Sequence, residues 1–247
     1  MNFRKVKPII LVLAIVLAIF TAANQISSSN AAPLFQSANS RVFLPLIKGG
    51  FQPSPSFAGC PVFPANNVWN THIDTLPVDA KSNTYINFIG AGTALHPDFG
   101  TVWNGGPIGI PYNIVPSSQP NVPISFYYPG ESDPGPYPIP PGAQIEYGSD
   151  HHILVVQQGT CLLYEVFNAS TNNGGASWDA GSGAQWNLNS NALRPADWTS
   201  ADAAGLPILP GLVRYDEVLA GEFKHAIRFT VRATNATYIW PARHLTR

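Results

Sequence analysis

A strongly apolar stretch, DHHILVVQQGTCLLYEVF, covers residues 150–167. A His pair opens its first apolar run, and one glutamate, Glu165, interrupts the second. Apolar runs on both sides of a short polar break predict a β-hairpin, and a two-residue turn at Gln158–Gly159 would place His152 opposite Glu165. A carboxylate orients an imidazole, and such a pair can move a proton near neutral pH. The alternative is a buried pair that only satisfies two polar groups, and a longer turn would remove the pairing altogether.

A third candidate, His225, opens the predicted strand EFKHAIRFTVRA at 222–233. If this strand lies beside the hairpin, His225 joins His152 and Glu165 as an acid/base residue. Two histidines and a glutamate are also a ligand set for Zn²⁺ or another divalent metal. A metal-stabilised structural domain is therefore one alternative, but no H-E-x-x-H spacing supports it. The leading prediction includes no metal and no cofactor.

Carboxylates in the loop ESDPGPYPIPPGAQ, residues 131–144, are candidates for substrate binding. The prolines fix the loop and present side chains at low entropic cost. Glu131 and Asp133 could act with Glu165 in glycoside hydrolysis. For Asp133, which precedes Pro134, stabilisation of a turn is the more common role.

Two arginines, Arg228 and Arg243, are predicted to hold an anionic substrate. Arg228 lies on the predicted strand 222–233, and Arg243 is near the end of the chain in TYIWPARH, residues 237–244. The alternative for Arg243 and His244 is an exposed, solvated strand end.

The elements that must position these residues are many short strands and few helices, without alternation of strand and helix. Such a pattern predicts a mainly β protein, an antiparallel β-sandwich of jelly-roll type with long Pro- and Gly-rich loops. The hairpin is apolar on both faces and is therefore expected inside it. Further strands are predicted at 109–116, 122–129, 185–190 and 237–244, short helices at 79–90, 199–205 and 214–221, and a long surface loop at 168–184.

Composition indicates an exported protein. Only 11% of the 247 residues are charged, 45% are hydrophobic, and there are 21 Gly and 24 Pro. A basic start with Arg4, Lys5 and Lys7 precedes the apolar run 9–20, which is short for a membrane span of about 20 residues. We predict a signal peptide at 1–23, with cleavage as late as 31, and the alternative is an uncleaved anchor. A Ser/Pro-rich linker at 24–58 and a single domain at 60–247 follow.

Removal of the leader leaves 10 Lys and Arg against 14 Asp and Glu, a net charge of −4. No basic patch suggests nucleic acid. The two cysteines, Cys60 and Cys161, are predicted to form a disulfide, as expected in an oxidising compartment. A nucleophilic thiol is the alternative, but neither cysteine has a basic neighbour in the sequence.

Six tryptophans are spread through the chain, and we expect most of them in the core. Any that are exposed would make platforms for sugar stacking. They are Trp69, Trp103, Trp178, Trp186, Trp198 and Trp240.

The run LRPADWTSADAAGLPILPGLVRYDEVLAGEFKHAIRF (193–229), with ESDPGPYPIP and the terminal WPARH, resembles a group of secreted bacterial proteins. The resemblance covers most of 60–247. It implies export and one intact domain, and it carries no activity or catalytic residue.

The leading functional prediction is a secreted or cell-envelope β-sandwich protein that acts on extracellular glycan, as a glycoside hydrolase or polysaccharide lyase. We expect a monomer that has no membrane contact after signal cleavage. The alternative is a non-catalytic surface or carbohydrate-binding module in which the His/Glu pairs are structural. It predicts that His152 and Glu165 are enclosed.

Overall fold

The computed structural model describes residues 54–94, 101–234 and 236–245. The predicted signal peptide and most of the predicted linker lie outside the described residues. The described residues form two α-helices and eleven strands. The helices are α1 (Ser82–Ile89) and α2 (Tyr215–Ala220). The strands are β1 (Ser56–Phe57), β2 (Cys60–Pro61), β3 (Val102–Trp103), β4 (Gly106–Pro107), β5 (Tyr112–Val115), β6 (Ile124–Phe126), β7 (Ile153–Gln157), β8 (Leu162–Phe167), β9 (Ser170–Asn172), β10 (Ser177–Ala180) and β11 (Ser182–Asn187). Short 3₁₀ turns lie at Val68–Asn70, Pro129–Glu131, Asn173–Gly175 and Leu209–Gly211.

The central sheet has four strands in the order β11-β8-β7-β5. Strands β7 and β8 form the predicted hairpin, β11 adds antiparallel to β8, and β5 adds parallel to β7. Both faces are buried, as the sequence predicted. One face packs with Leu154, Leu163 and Trp186, and the other with Ile153 and Val155.

The register of the hairpin differs from the predicted one. Leu154, and not His152, is the partner of Glu165, and the connection spans the four residues 158–161. Positive φ values fall on Gly159 and Cys161, so the turn does not need Gln158 in a left-handed conformation, which a two-residue turn would require. A slip of two residues keeps each side chain on its predicted face. The faces were therefore right, and the His152–Glu165 pairing was wrong.

A second sheet has the order β6-β10-β9, with β10 parallel to β6 and antiparallel to β9. The sequence predicted a surface loop at 168–184, and this prediction was wrong. The small residues allow neighbouring rings to pack closely: a Cβ on Gly183 would lie 2.4 Å from the Phe126 ring and 2.8 Å from the Tyr137 hydroxyl. Glycine here reflects close packing inside a sheet rather than a flexible loop.

Small, open sheets make this a mainly β protein, and the sandwich arrangement remains a prediction. Each of the two larger sheets contains a parallel pair, so the expectation of purely antiparallel pairing was wrong. The Pro-rich loop covers the free edge of β11. Asp133 N donates to Gly183 O at 3.0 Å, and Gln185 N donates to Asp133 Oδ2 at 2.7 Å. The backbone and the side chain of Asp133 thus form the hydrogen bonds to β11 that a further strand would otherwise form.

Among the described residues after β11, the chain forms one confirmed helix, α2, and one 3₁₀ turn. Helix α2 ends at Gly221, in the left-handed conformation that was expected. The predicted helix at 199–205 and the strands at 222–233 and 237–244 are instead irregular. Their backbone groups bond individually to distant loops: Ala226 N donates to Trp69 O at 2.7 Å, and Arg228 N donates to Gly211 O at 2.8 Å.

The predicted disulfide is present. Cys60 and Cys161 have their Cα atoms 5.4 Å apart and are separated by 101 residues in the chain. The bridge ties β2 to the turn of the central hairpin, within the core. Among the described residues, no helix is both long enough and apolar enough to cross a membrane.

Candidate functional site

His152 lies just before β7 and is buried, with 3% of its surface exposed. Its Nδ1 is 2.5 Å from Glu146 Oε2, and its Nε2 is 3.1 Å from Ala201 O. Both ring nitrogens therefore have partners within the fold. Burial acts to raise the pKa of Glu146, but hydrogen bonds from the His152 ring and backbone, with Arg228 nearby, hold it below its usual value. The partner of His152 is therefore Glu146, which the sequence reasoning missed.

Glu165 on β8 is fully enclosed, with 0% exposure. Its carboxylate accepts the backbone N–H of Ile208 and of Leu209, at 2.9 and 2.8 Å, and the indole N–H of Trp186 at 3.1 Å. Burial raises the pKa of Glu165 to about 7 against the opposing effect of these three hydrogen bonds. The group holds the irregular segment at 208–209 against the central sheet.

Arg228 forms an ion pair with Asp202, another enclosed carboxylate. Its Nε and Nη2 both lie 3.1 Å from Asp202 Oδ2, and Ala204 N donates to Oδ1 at 2.9 Å. Burial raises the pKa of Asp202, although Arg228 opposes the shift. Because its guanidinium is already paired, Arg228 is poorly placed to hold an anionic substrate.

His225 lies in a separate cluster beside helix α2. Its Nε2 is 2.9 Å from Glu217 Oε1, which also accepts Arg214 Nη2 at 2.6 Å, and its Nδ1 is 2.8 Å from Ala226 O. The structure thus pairs His225 with Glu217 rather than with Glu165. Among the described residues, no group of three or more His, Cys, Asp or Glu is placed to hold a metal ion.

The buried ionisable groups have a common role, because several of them bind the backbone of one irregular segment, residues 199–212. His152 contacts Ala201 O, Glu165 binds two N–H groups of the segment, and Arg194 Nε donates to Thr199 O at 2.5 Å. A buried segment whose regular structure is a single 3₁₀ turn needs such partners for its other backbone groups. These contacts match the alternative prediction, in which the polar pairs are structural.

A second group of candidates lies near the surface, around Glu131. The side chain of Glu131 is 40% exposed and that of His244 is 22% exposed, and Glu131 Oε2 is 3.4 Å from His244 Nε2. His244 Nδ1 is 2.7 Å from Ala203 O, which fixes the ring. Arg243 is engaged with the backbone, since its Nε donates to Arg194 O at 3.0 Å. Glu131 is thus the predicted substrate-binding residue that remains accessible.

Beside Glu131, two exposed tyrosines project from the end of β6. Tyr127 is 78% exposed and Tyr128 is 48% exposed, and their ring centroids are 4.7 Å apart at an angle of 88°. Their backbone is fixed, because Tyr127 N donates to Ala180 O at 2.9 Å and Tyr128 N to Gly181 O at 3.0 Å. Sequence reasoning missed this pair. The signal was the run FYYPG, in which aromatic residues continue past the strand into a proline turn.

The tryptophans divide between core and surface. Three are buried with 4% exposure, which confirms the core prediction for Trp69, Trp178 and Trp186. Trp103 and Trp240 are 66% and 40% exposed. Exposed indoles are therefore available for stacking, as the sequence allowed.

Comparison of the chain with protein-family models, with curated proteins and with solved structures found no match. Functional inference therefore depends on the residues and their geometry.

Proposed function

We propose that this protein is an exported glycan-binding module whose binding face is the surface formed by Tyr127, Tyr128, Glu131 and His244, named here the tyrosine surface. The observation that carries the proposal is the exposed, backbone-fixed tyrosine pair three residues before a half-exposed carboxylate. Aromatic faces stack on the C–H faces of sugar rings, and carboxylate and imidazole groups bind the hydroxyls.

The rigidity of the tyrosine surface supports this function. The two tyrosine N–H groups bond to the last residue of β10 and to the residue that connects β10 with β11. Pro129 follows, and Ser132 Oγ donates to Tyr128 O at 2.8 Å. A pre-organised platform loses little conformational entropy when a ligand binds. The disulfide supports export, since such bonds persist in oxidising compartments.

The electrostatics favour a neutral glycan. Apart from the predicted leader the chain has a net charge of −4. The two arginines predicted to clamp an anion, Arg228 and Arg243, are engaged with Asp202 and with a backbone carbonyl. A polyanionic glycan would meet repulsion with little compensation. We therefore assign neutral pyranose glycans as the ligand class.

The catalytic alternative, a glycoside hydrolase or polysaccharide lyase, is less well supported. Its acid/base residues must approach the substrate within hydrogen-bond reach. His152 and Glu165 are 3% and 0% exposed, and both are bonded to partners within the fold. If the protein is an enzyme, the Glu131–His244 pair is the better candidate, because it combines a carboxylate and an oriented imidazole with access to solvent.

Binding is tested by equilibrium titration of the purified exported chain with cellohexaose and chitohexaose. We expect replacement of Tyr127 and Tyr128 together by Ala to weaken binding by at least about tenfold, the loss of roughly 1.4 kcal/mol. Tyr215→Ala is the matched control, since Tyr215 is 75% exposed on α2. Equal losses in both variants, or no binding by the wild type, would contradict the proposal.

The same samples are assayed for new reducing ends and for unsaturated sugar products. The binding proposal predicts none. Release of products that is lost in Glu131→Gln would instead establish the catalytic alternative.

A further inference from the structure

A second aromatic surface lies on the β3–β4 hairpin, which shares no residue with the tyrosine surface. Trp103 and Gly106 are direct partners across the two strands, and Asn104 and Gly105 form the turn with φ values of 50° and 87°. Directly opposed residues in an antiparallel pair project to the same face. The side chain of Trp103 therefore leaves the hairpin on the face where a Gly106 side chain would be.

The ring of Tyr147 occupies that place. A Cβ on Gly106 would lie 2.3 Å from two of its ring atoms, so the absence of a side chain at Gly106 is what allows the ring to rest on the hairpin. Cross-strand Cβ positions are about 4.5–5.5 Å apart, so the Tyr147 ring lies next to the base of the Trp103 side chain. Gly106 is buried beneath the ring, whereas Tyr147 and Trp103 are 54% and 66% exposed.

Tyr147 directly follows Glu146, the partner of the buried His152. The preceding residue, Glu146, is fixed through its side chain by His152 and through its backbone N–H, which donates to His152 O at 2.9 Å. The Tyr147 ring is therefore restricted by two contacts, the fixed neighbour Glu146 and the backbone of Gly106, although the ring itself is exposed. His152 and Glu146 are therefore positioning residues for Tyr147.

From this geometry we infer a second glycan-binding site, in which Trp103 and Tyr147 stack on the rings of a neutral pyranose chain. The ligand class rests on the proposed function, while the geometry is independent of the tyrosine surface. Two sites on one chain increase the apparent affinity for a polymer beyond the affinity of either site. The preferred ligand is accordingly a polysaccharide rather than a single sugar.

The site is tested by ¹H–¹⁵N spectra of the indole N–H groups during titration with cellohexaose and chitohexaose. Trp103→Phe identifies the Trp103 signal by its loss. We expect this signal to shift in the wild type and equally in the variant that lacks Tyr127 and Tyr128. Gly106→Ala places a Cβ in the Tyr147 ring and should abolish the shift, as should Tyr147→Ala. Gly92→Ala, at a position with nothing within 4 Å of the added Cβ, is the control.

The possible failures are distinguishable. A Trp103 signal that stays unmoved while the tyrosine surface is saturated would overturn the second site and leave the proposed function standing. A shift that persists at full size in both Gly106→Ala and Tyr147→Ala would also overturn it. No response at either surface would contradict the proposed function and this inference together.

Discussion

Glu165→Gln should remove a specific part of the pH dependence of stability. The carboxyl is enclosed, and burial raises its pKa from 4.5 to about 7. A folded-state pKa above the unfolded one means that the folded protein favours the protonated form. This contribution to stability is fully present below the unfolded pKa and is lost as the pH rises through the folded pKa.

The size of the effect follows from the shift. Each pKa unit corresponds to about 1.4 kcal/mol, so the wild type should lose roughly 3 kcal/mol between pH 4 and pH 8 through this group. Glutamine has no titratable proton, and its carbonyl oxygen can still accept N–H bonds from Ile208 and Leu209. The variant should therefore lack this component and retain the fold.

Urea unfolding, followed by tryptophan fluorescence at intervals from pH 4 to pH 9, gives the free energy of unfolding of both proteins. Trp186 donates its indole N–H to Glu165 and lies in the core, so its emission reports loss of this packing. The difference between the two curves isolates the contribution of Glu165 from that of other groups. If the free energies of unfolding of the two proteins changed in parallel over the whole pH range, the conclusion that burial raises the pKa of Glu165 would be refuted.

Three further outcomes are expected. Arg228→Ala leaves the carboxylate of Asp202 buried without its cation and should lower the free energy of unfolding by about 3–5 kcal/mol. The control is Arg232→Ala, at an exposed position nearby, which should change this free energy by less than about 0.5 kcal/mol. Equal effects of the two variants in denaturant titrations would contradict the ion pair. The pKa of Glu146 is lowered in the folded protein, so its contribution to stability is present above the unfolded pKa and is lost as the pH falls. In thermal melts at pH 2–6, the Tm of Glu146→Gln should therefore fall less steeply with decreasing pH than that of the wild type. An unchanged pH dependence of Tm would argue against the pair with His152. Reduction of the disulfide should remove about 4–5 kcal/mol and lower Tm by roughly 10 °C, and an unshifted melting curve would contradict its structural role.

Much of the hairpin could be predicted from the sequence because hydrophobic alternation has a period of two. The pattern indicates which residues share a face, and Leu154 and Glu165 indeed share one. It does not fix the register, since any even slip preserves the faces. The turn decides the register, and a left-handed Cys161 in a disulfide has no signature in local propensity.

The candidate site was harder to predict because its contacts are long-range. Glu146, the partner of His152, lies six residues earlier in a loop, where no strand or helix sets the direction of its side chain. Residues 222–233 and 237–244 have a strand-like pattern, yet their backbone groups bond to separate loops instead of to a neighbouring strand. Helices α1 and α2, each of which ends at a glycine, were predicted in the right places, although α1 begins at Ser82 and not at 79.

Titration of cellohexaose and chitohexaose into the wild type and into the variant with Tyr127 and Tyr128 replaced by Ala tests the central claim most directly. Saturable binding by the wild type, weakened at least about tenfold in the variant at unchanged Tm, is the predicted result. Absence of binding by the wild type, or an unchanged affinity in the variant, would contradict the proposal that the tyrosine surface binds glycan.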